Sequence, residues 1–258
     1  MVKRSSWSIP YLVFLILFVV LPLLLIMLYA FQDGTGRFTF GNITRFFSDS
    51  DAIKTFGLSM EVAIENTAIC LLLGYPAAWI LSNKRYNRSS VTIVLFILPM
   101  WINALMRTLA TAELFTTLGF TLGKGTLIYG MVYDFLPFMV YPIYNVLQKM
   151  DKSYAEAAED LGATPLQVFT KVTLPLSMPG VASGVLMVFM PTMSTFAISE
   201  FLTNNKIKLF GTIIQENINS SMWNYGAALS FIMLLIIGAT SFLSGSSHDD
   251  SGVQGGLV

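Results

Sequence analysis

Charge is the scarcest commodity in this 258-residue chain. Only 12% of its residues are Asp, Glu, Lys or Arg, about half the share in a typical soluble domain. Cysteine and histidine are each reduced to one, Cys70 and His248. A single cysteine rules out an internal disulfide, and no His/Cys spacing suits a metal ligand set. With one histidine near the end, histidine-based catalysis is excluded as well. No Gly-x-x-x-x-Gly-Lys-Ser/Thr phosphate loop occurs, so the usual nucleotide cradle is missing. Fifteen basic residues balance fifteen acidic ones, and a formal charge of zero offers nothing to a nucleic acid.

What fills the chain is apolar: 54% of the residues are hydrophobic. About 20 apolar residues cross a bilayer, and the charge-poor runs predict six spans at about 5–32, 59–82, 91–117, 126–147, 174–199 and 225–243. The fold class expected is all-α integral membrane, a transmembrane domain over 1–243 with short loops and a flexible Gly/Ser/Asp-rich tail over 244–258. That tail has no basic residue to anchor the last span and reads as an altered terminus. The first run follows Lys3 and Arg4 as a signal peptide would. It is too long for a signal h-region and lacks a prompt small-residue cleavage site, which favours a retained anchor. Residues 33–57 read as a polar extramembrane loop.

Six spans put both termini on one side. With the N-terminus inside, the inner loops carry Lys3, Arg4, Lys84, Arg85, Arg88, Lys149, Lys152 and Lys171. The outer ones carry Arg37, Arg45, Lys54, Lys124, Lys206 and Lys208. The basic residues of 84–88 are crowded into one short loop, and the N-terminus is therefore expected to be cytoplasmic.

Between the fourth and fifth spans, residues 149–173 form a long polar stretch. Ser153 reads as an N-cap, with Glu156 three residues on completing a capping box. Alanines carry the helix to Leu161, and Gly162 stops it. Ala163-Thr164-Pro165 then starts a second short helix, 166–171. Ala157 and Ala158 keep one side small enough for close approach to a partner surface.

Glu156-Ala157-Ala158, three residues, Gly162, nine residues, Val172-x-Leu174-Pro175 resembles the EAA loop of ABC-importer permeases, with valine where the family pattern has isoleucine. The resemblance implies a type I ABC-importer permease fold in which this loop is a cytoplasmic coupling helix docked on an ATPase. Glu156, Ala157, Ala158, Asp160 and Gly162 would carry the coupling. The likeness extends to 73–79, 99–108 and 135–144, which are similar to the polyamine permeases, the first membrane subunit of spermidine/putrescine transporters above all. It implies a prokaryotic inner or plasma membrane, a homologous second permease, a cytoplasmic ATPase dimer and an external substrate-binding protein. ATP and Mg would be bound by the ATPase and no cofactor by this chain; no nucleic-acid partner is expected. The cargo implied is a polyamine. Another small solute carried by the same class of permease, or an ion-coupled carrier acting alone, are the alternatives.

A multiply charged cation needs carboxylates and ring faces on its path. Glu200, Asp134, Glu113 and Glu65 are expected in the outer half of the spans against one base, Arg107. Trp101 and Tyr133 are the candidate rings, beside Phe135 and Tyr141. Glu200, Asp134, Glu113, Trp101 and Tyr133 are thus the expected substrate pathway, with the two carboxylates Asp134 and Glu65 also readable as interfacial. Arg107 pairs either with Glu113, about 120° away around its own helix, or with a carboxylate of another span. Prolines 76, 99, 137, 142, 179 and 191 mark bends in or at the ends of the spans.

Overall fold

A computed structural model describes residues 8–83 and 91–245. Lys3 and Arg4, the basic loop with Lys84, Arg85 and Arg88, and the tail with His248 lie outside the described residues. Among the described residues five helices are long and apolar enough to cross a membrane, and a sixth crossing is made if one bent pair counts as a single span. The first is built from α1 (Ser8–Leu15), one π turn and α2 (Leu21–Ala30). Its residues 10–29 are unburied, and it packs chiefly on α13 (Trp223–Gly245). An all-apolar helix bare on nearly every side is what lipid contact requires.

The polar stretch 33–57 is more ordered than its composition suggests. It holds α3 (Gly41–Ser48), and α4 begins at Ser50 and runs to Ser82. Asp49, read as loop, is the N-cap of α4, its carboxylate accepting from the backbone N–H of Asp51 at 3.0 Å and of Ala52 at 3.2 Å. At 1.5 Å per residue α4 is about 50 Å long, well beyond a hydrocarbon core of about 30 Å. Its first turns therefore project out of the bilayer. Just before α3, Asp33 closes a tight turn and is held below the usual carboxylate range by the Thr35 hydroxyl and the Arg37 and Thr35 backbone N–H groups.

The centre of the bundle is α4, α7 (Lys124–Lys149) and α10 (Leu174–Ser194), which pack on one another. Two glycines make the α7–α10 approach possible. A Cβ on Gly180 would stand 3.0 Å from the Ile143 Cα and the Pro142 carbonyl oxygen, and one on Gly184 2.8 Å from the Met139 sulfur. Polar pairs fix the register of α10 against α4. Tyr75 and Ser177 hydroxyls lie 2.8 Å apart, and Asn66 donates to Thr192 at 2.8 Å. In a bundle surrounded by lipid such bonds have no competing water.

Two spans end differently from their sequence-based outlines. The third, expected unbroken over 91–117, is α5 (Val91–Ile97) with a 3-10 turn to Trp101, then α6 (Ala104–Thr117), bent by 89°. Pro99 opens the 3-10 turn. Ile102 is extended, and Asn103 caps α6 by accepting from Leu105 N at 2.9 Å. The fifth stops at Ser194, where Thr195 turns extended, and a separate α11 (Ala197–Thr203) follows. Gly211, at the start of α12 (Phe210–Asn219), sits against the Ser194 and Thr195 carbonyls, where a side chain would collide.

Candidate functional site

The break in the third span opens a cavity of about 650 Å³. Trp101 and Asn103 line it from the break, Arg107 and Thr108 from α6, Asp134 from α7, and Ser194 and Thr195 from the end of α10. Within its wall the Arg107 Nη2 stands 3.1 Å from Asp134 Oδ1, with both side chains at least 94% buried. Thr108 donates to Asp134 Oδ2 at 3.2 Å, and the guanidinium carbon lies 5.5 Å from the centre of the Tyr133 ring. This settles the open question of the arginine's partner. It is a carboxylate of the next span, because six residues of helix turn Glu113 away onto the exposed side of α6.

The structure gathers only some of the expected pathway. Asp134 and Trp101 face the cavity, Trp101 with 85% of its surface exposed. Tyr133 touches it only through the guanidinium. Glu200 does not close the fifth span; it lies half-buried on α11, outside the cavity lining, and Glu113 lies outside it too. The expected excess of free carboxylate is also corrected. Asp134 is neutralised by Arg107, while Lys124 at the start of α7 bridges Glu61 at 2.6 Å and Glu65 at 2.9 Å. Glu113 and Glu200 have no ion-pair partner among the described residues. Asn103, Thr108, Ser194 and Thr195 were missed. Asn103 alone carried a signal, a capping residue shortly after Pro99.

At the other end of the spans, residues 151–173 form the predicted helix pair. The first helix, α8, runs Ser153–Asp160 with no buried residue. Its start is capped two residues earlier than the capping box implied. Asp151 accepts from Ser153 N at 3.0 Å, and that N–H with the Ser153 hydroxyl holds the carboxyl below its ordinary range. Ser153 is the first helical residue. Gly162 has φ +82°, and its N–H bonds the Glu159 carbonyl at 2.9 Å while Ala163 N reaches Ala158 O at 3.0 Å. Those two bonds satisfy carbonyls that the helix end leaves open.

Thr164 then caps α9 (Pro165–Val168) in a reciprocal box with Gln167, at 2.8 and 3.4 Å. A π turn (Phe169–Thr173) joins α9 to α10, so the expected second helix is the beginning of the fifth span. Glu156, Ala157, Asp160, Tyr154, Leu161 and Leu166 all stand exposed on this projection, the last three mixing apolar surface with the acids. Ala158 is half-buried toward the spans. The result is a capped projection of acidic and apolar side chains, continuous with a membrane helix.

Comparison with known proteins bears on both regions. The family described as binding-protein-dependent transport system inner membrane component matches residues 70–249. The spermidine/putrescine transport system permease protein PotB of Escherichia coli K12 is 35% identical over 248 residues, covering 87% of this chain and 90% of the relative. The PotB of Haemophilus influenzae is 32% identical, covering 89% and 88%. Among solved structures, a bacterial ABC transporter importing the acidic polysaccharide alginate superimposes with a TM-score of 0.67 at 14% identity, over 95% of this chain and 96% of that one. At that identity the likeness concerns the fold alone.

Proposed function

The chain belongs to the binding-protein-dependent transport system inner membrane components, as a permease subunit of an ABC importer, and we propose that its cargo is spermidine or putrescine. The observation that carries this reading is identity of 32–35% to polyamine permeases over nearly nine-tenths of the chain. Asp134, an aromatic-flanked carboxylate of the fourth span facing the cavity at the break of the third, is chemistry that suits an alkylammonium.

In the working assembly this chain and a homologous permease enclose the path. A pair of ATPases, binding ATP and Mg, grips α8 through Glu156, Ala157, Ala158 and Asp160, and Gly162 sets the angle at which α8 leaves the bundle. An external binding protein delivers the polyamine, and the N-terminus lies in the cytoplasm with the loop. Asp134 and Trp101 form the entry to the cargo cavity; Glu200, Glu113 and Tyr133 flank it.

The test is ATP-dependent uptake into proteoliposomes holding the complete complex and its binding protein. Spermidine or putrescine is expected to saturate uptake and stimulate ATP hydrolysis, with neutral sugars and amino acids inactive. Stimulation by another solute and none by polyamines would remove the cargo assignment while leaving the family intact.

A further inference from the structure

The Arg107–Asp134 pair is a poor ion pair by its own geometry. Buried arginine–carboxylate pairs hold their partners with two parallel bonds and satisfied donors, because desolvating both charges is otherwise not recovered. Here one contact of 3.1 Å joins them, and the buried Nε and Nη1 of Arg107 have no acceptor among the described residues. Thr108 holds Asp134 Oδ2, while Oδ1, which faces the guanidinium, has no hydrogen-bond partner among the described residues. The arginine also stands four residues past Asn103, at the start of a helix that leaves an 89° break, beside a cavity with room for a displaced side chain.

An alkylammonium brings three compact donors on a slim stem. In place of the guanidinium it would meet Asp134 Oδ1 and lie near the face of Tyr133, while the guanidinium, moved into the cavity, gains water for its idle donors. We propose that Arg107 is a resident counter-ion, which an ammonium group of the cargo replaces at Asp134. The pair keeps the empty site neutral; a bare carboxylate at membrane depth would instead attract sodium or potassium. This inference rests on the polyamine cargo proposed above.

The decisive experiment compares Arg107→Gln, Asp134→Asn and the double variant in the complete reconstituted complex, with assembly followed by size-exclusion chromatography. Asp134→Asn is expected to lower spermidine uptake at least about tenfold. Arg107→Gln is expected to lower the half-saturating concentration on the order of tenfold and to admit a sodium leak that the parent complex lacks. The double variant, with no lone buried charge, should assemble normally and remain inactive. A merely structural pair behaves oppositely: the double variant regains uptake, and Arg107→Gln loses it. Either result, with normal uptake by the parent complex, overturns the exchange alone. If Arg107→Gln fails to assemble, the double variant still decides. A parent complex that imports no polyamine overturns the cargo assignment and this inference together.

Discussion

A complex carrying Gly162→Val is expected to hydrolyse ATP at close to the parent rate and to import roughly a tenth as much polyamine per ATP. Gly162 holds φ at +82° with nothing within 4 Å of its missing Cβ, so the effect does not come from bulk against neighbours in this chain. It comes from the backbone. A left-handed conformation costs an ordinary residue about 1–2 kcal/mol, and a β-branched one more. That cost is avoided by abandoning the two terminal bonds, from Gly162 to Glu159 and from Ala163 to Ala158. The end of α8 then frays, and the turn into the Thr164 cap no longer fixes the direction of α8 relative to the fifth span. A tenfold loss corresponds to about 1.4 kcal/mol, within reach of this strain. Gly162→Asn should be milder, since asparagine enters that region more readily. The measurement is the ratio of spermidine imported to ATP hydrolysed, and a Val variant coupled like the parent would refute the mechanical role assigned to α8.

That glycine was readable in the sequence because helix capping is local: the residues that make the bonds lie within five positions of one another. The same locality explains the small error at the other end of α8, where Asp151 and Ser153 were both capable of capping and only the path of the preceding chain selects Asp151. The spans were legible for a different reason. Lipid accepts no charge and no open backbone, so each crossing has to show itself as a long run nearly free of charged residues.

Interruptions of those runs were not legible where they involve uncharged residues. Pro99 marks a bend, but Trp101 and Ile102 are apolar enough to pass for helix, so neither the 89° size of the break nor the cavity it makes shows in the run. The fifth span ends at Ser194 because Gly211 brings another segment against its last carbonyls, an event 17 residues away in the chain. Charge pairing was equally hidden. Composition located Arg107, Asp134, Glu65 and Lys124, but only the packing of α6 on α7, and of α7 beside α4, says who neutralises whom. Asp134 and Glu65 looked like free carboxylates because their cations sit in other segments.

The centre of the bundle makes the harsher prediction: Gly180→Leu is expected to prevent a stable fold, while Gly238→Leu behaves like the parent. At Gly180 a Cβ already stands 3.0 Å from the Ile143 Cα and the Pro142 carbonyl oxygen, and 3.0 Å from a Val146 methyl. Two of those three are backbone atoms of α7 and cannot swing aside, unlike the end of a side chain. Leucine adds three further carbons, so α7 and α10 must separate. Separation also pulls Ser177, one turn away, from Tyr75, breaking the 2.8 Å bond that sets α10 on α4. Overpacking by a few methylenes costs about 1–3 kcal/mol where side chains can adjust, and a lost bond between helices about 1 kcal/mol more. Against a backbone wall the sum exceeds about 3 kcal/mol, a large part of a marginal stability. Gly238 is exposed on α13 with nothing within 4 Å, a position where lipid accommodates a leucine. Thermal unfolding of the detergent-solubilised protein, with the amount extracted from membranes, separates the two. Gly180→Leu melting with the parent would mean that α7 and α10 do not meet at this glycine, and that the close approach around which the bundle is built lies elsewhere.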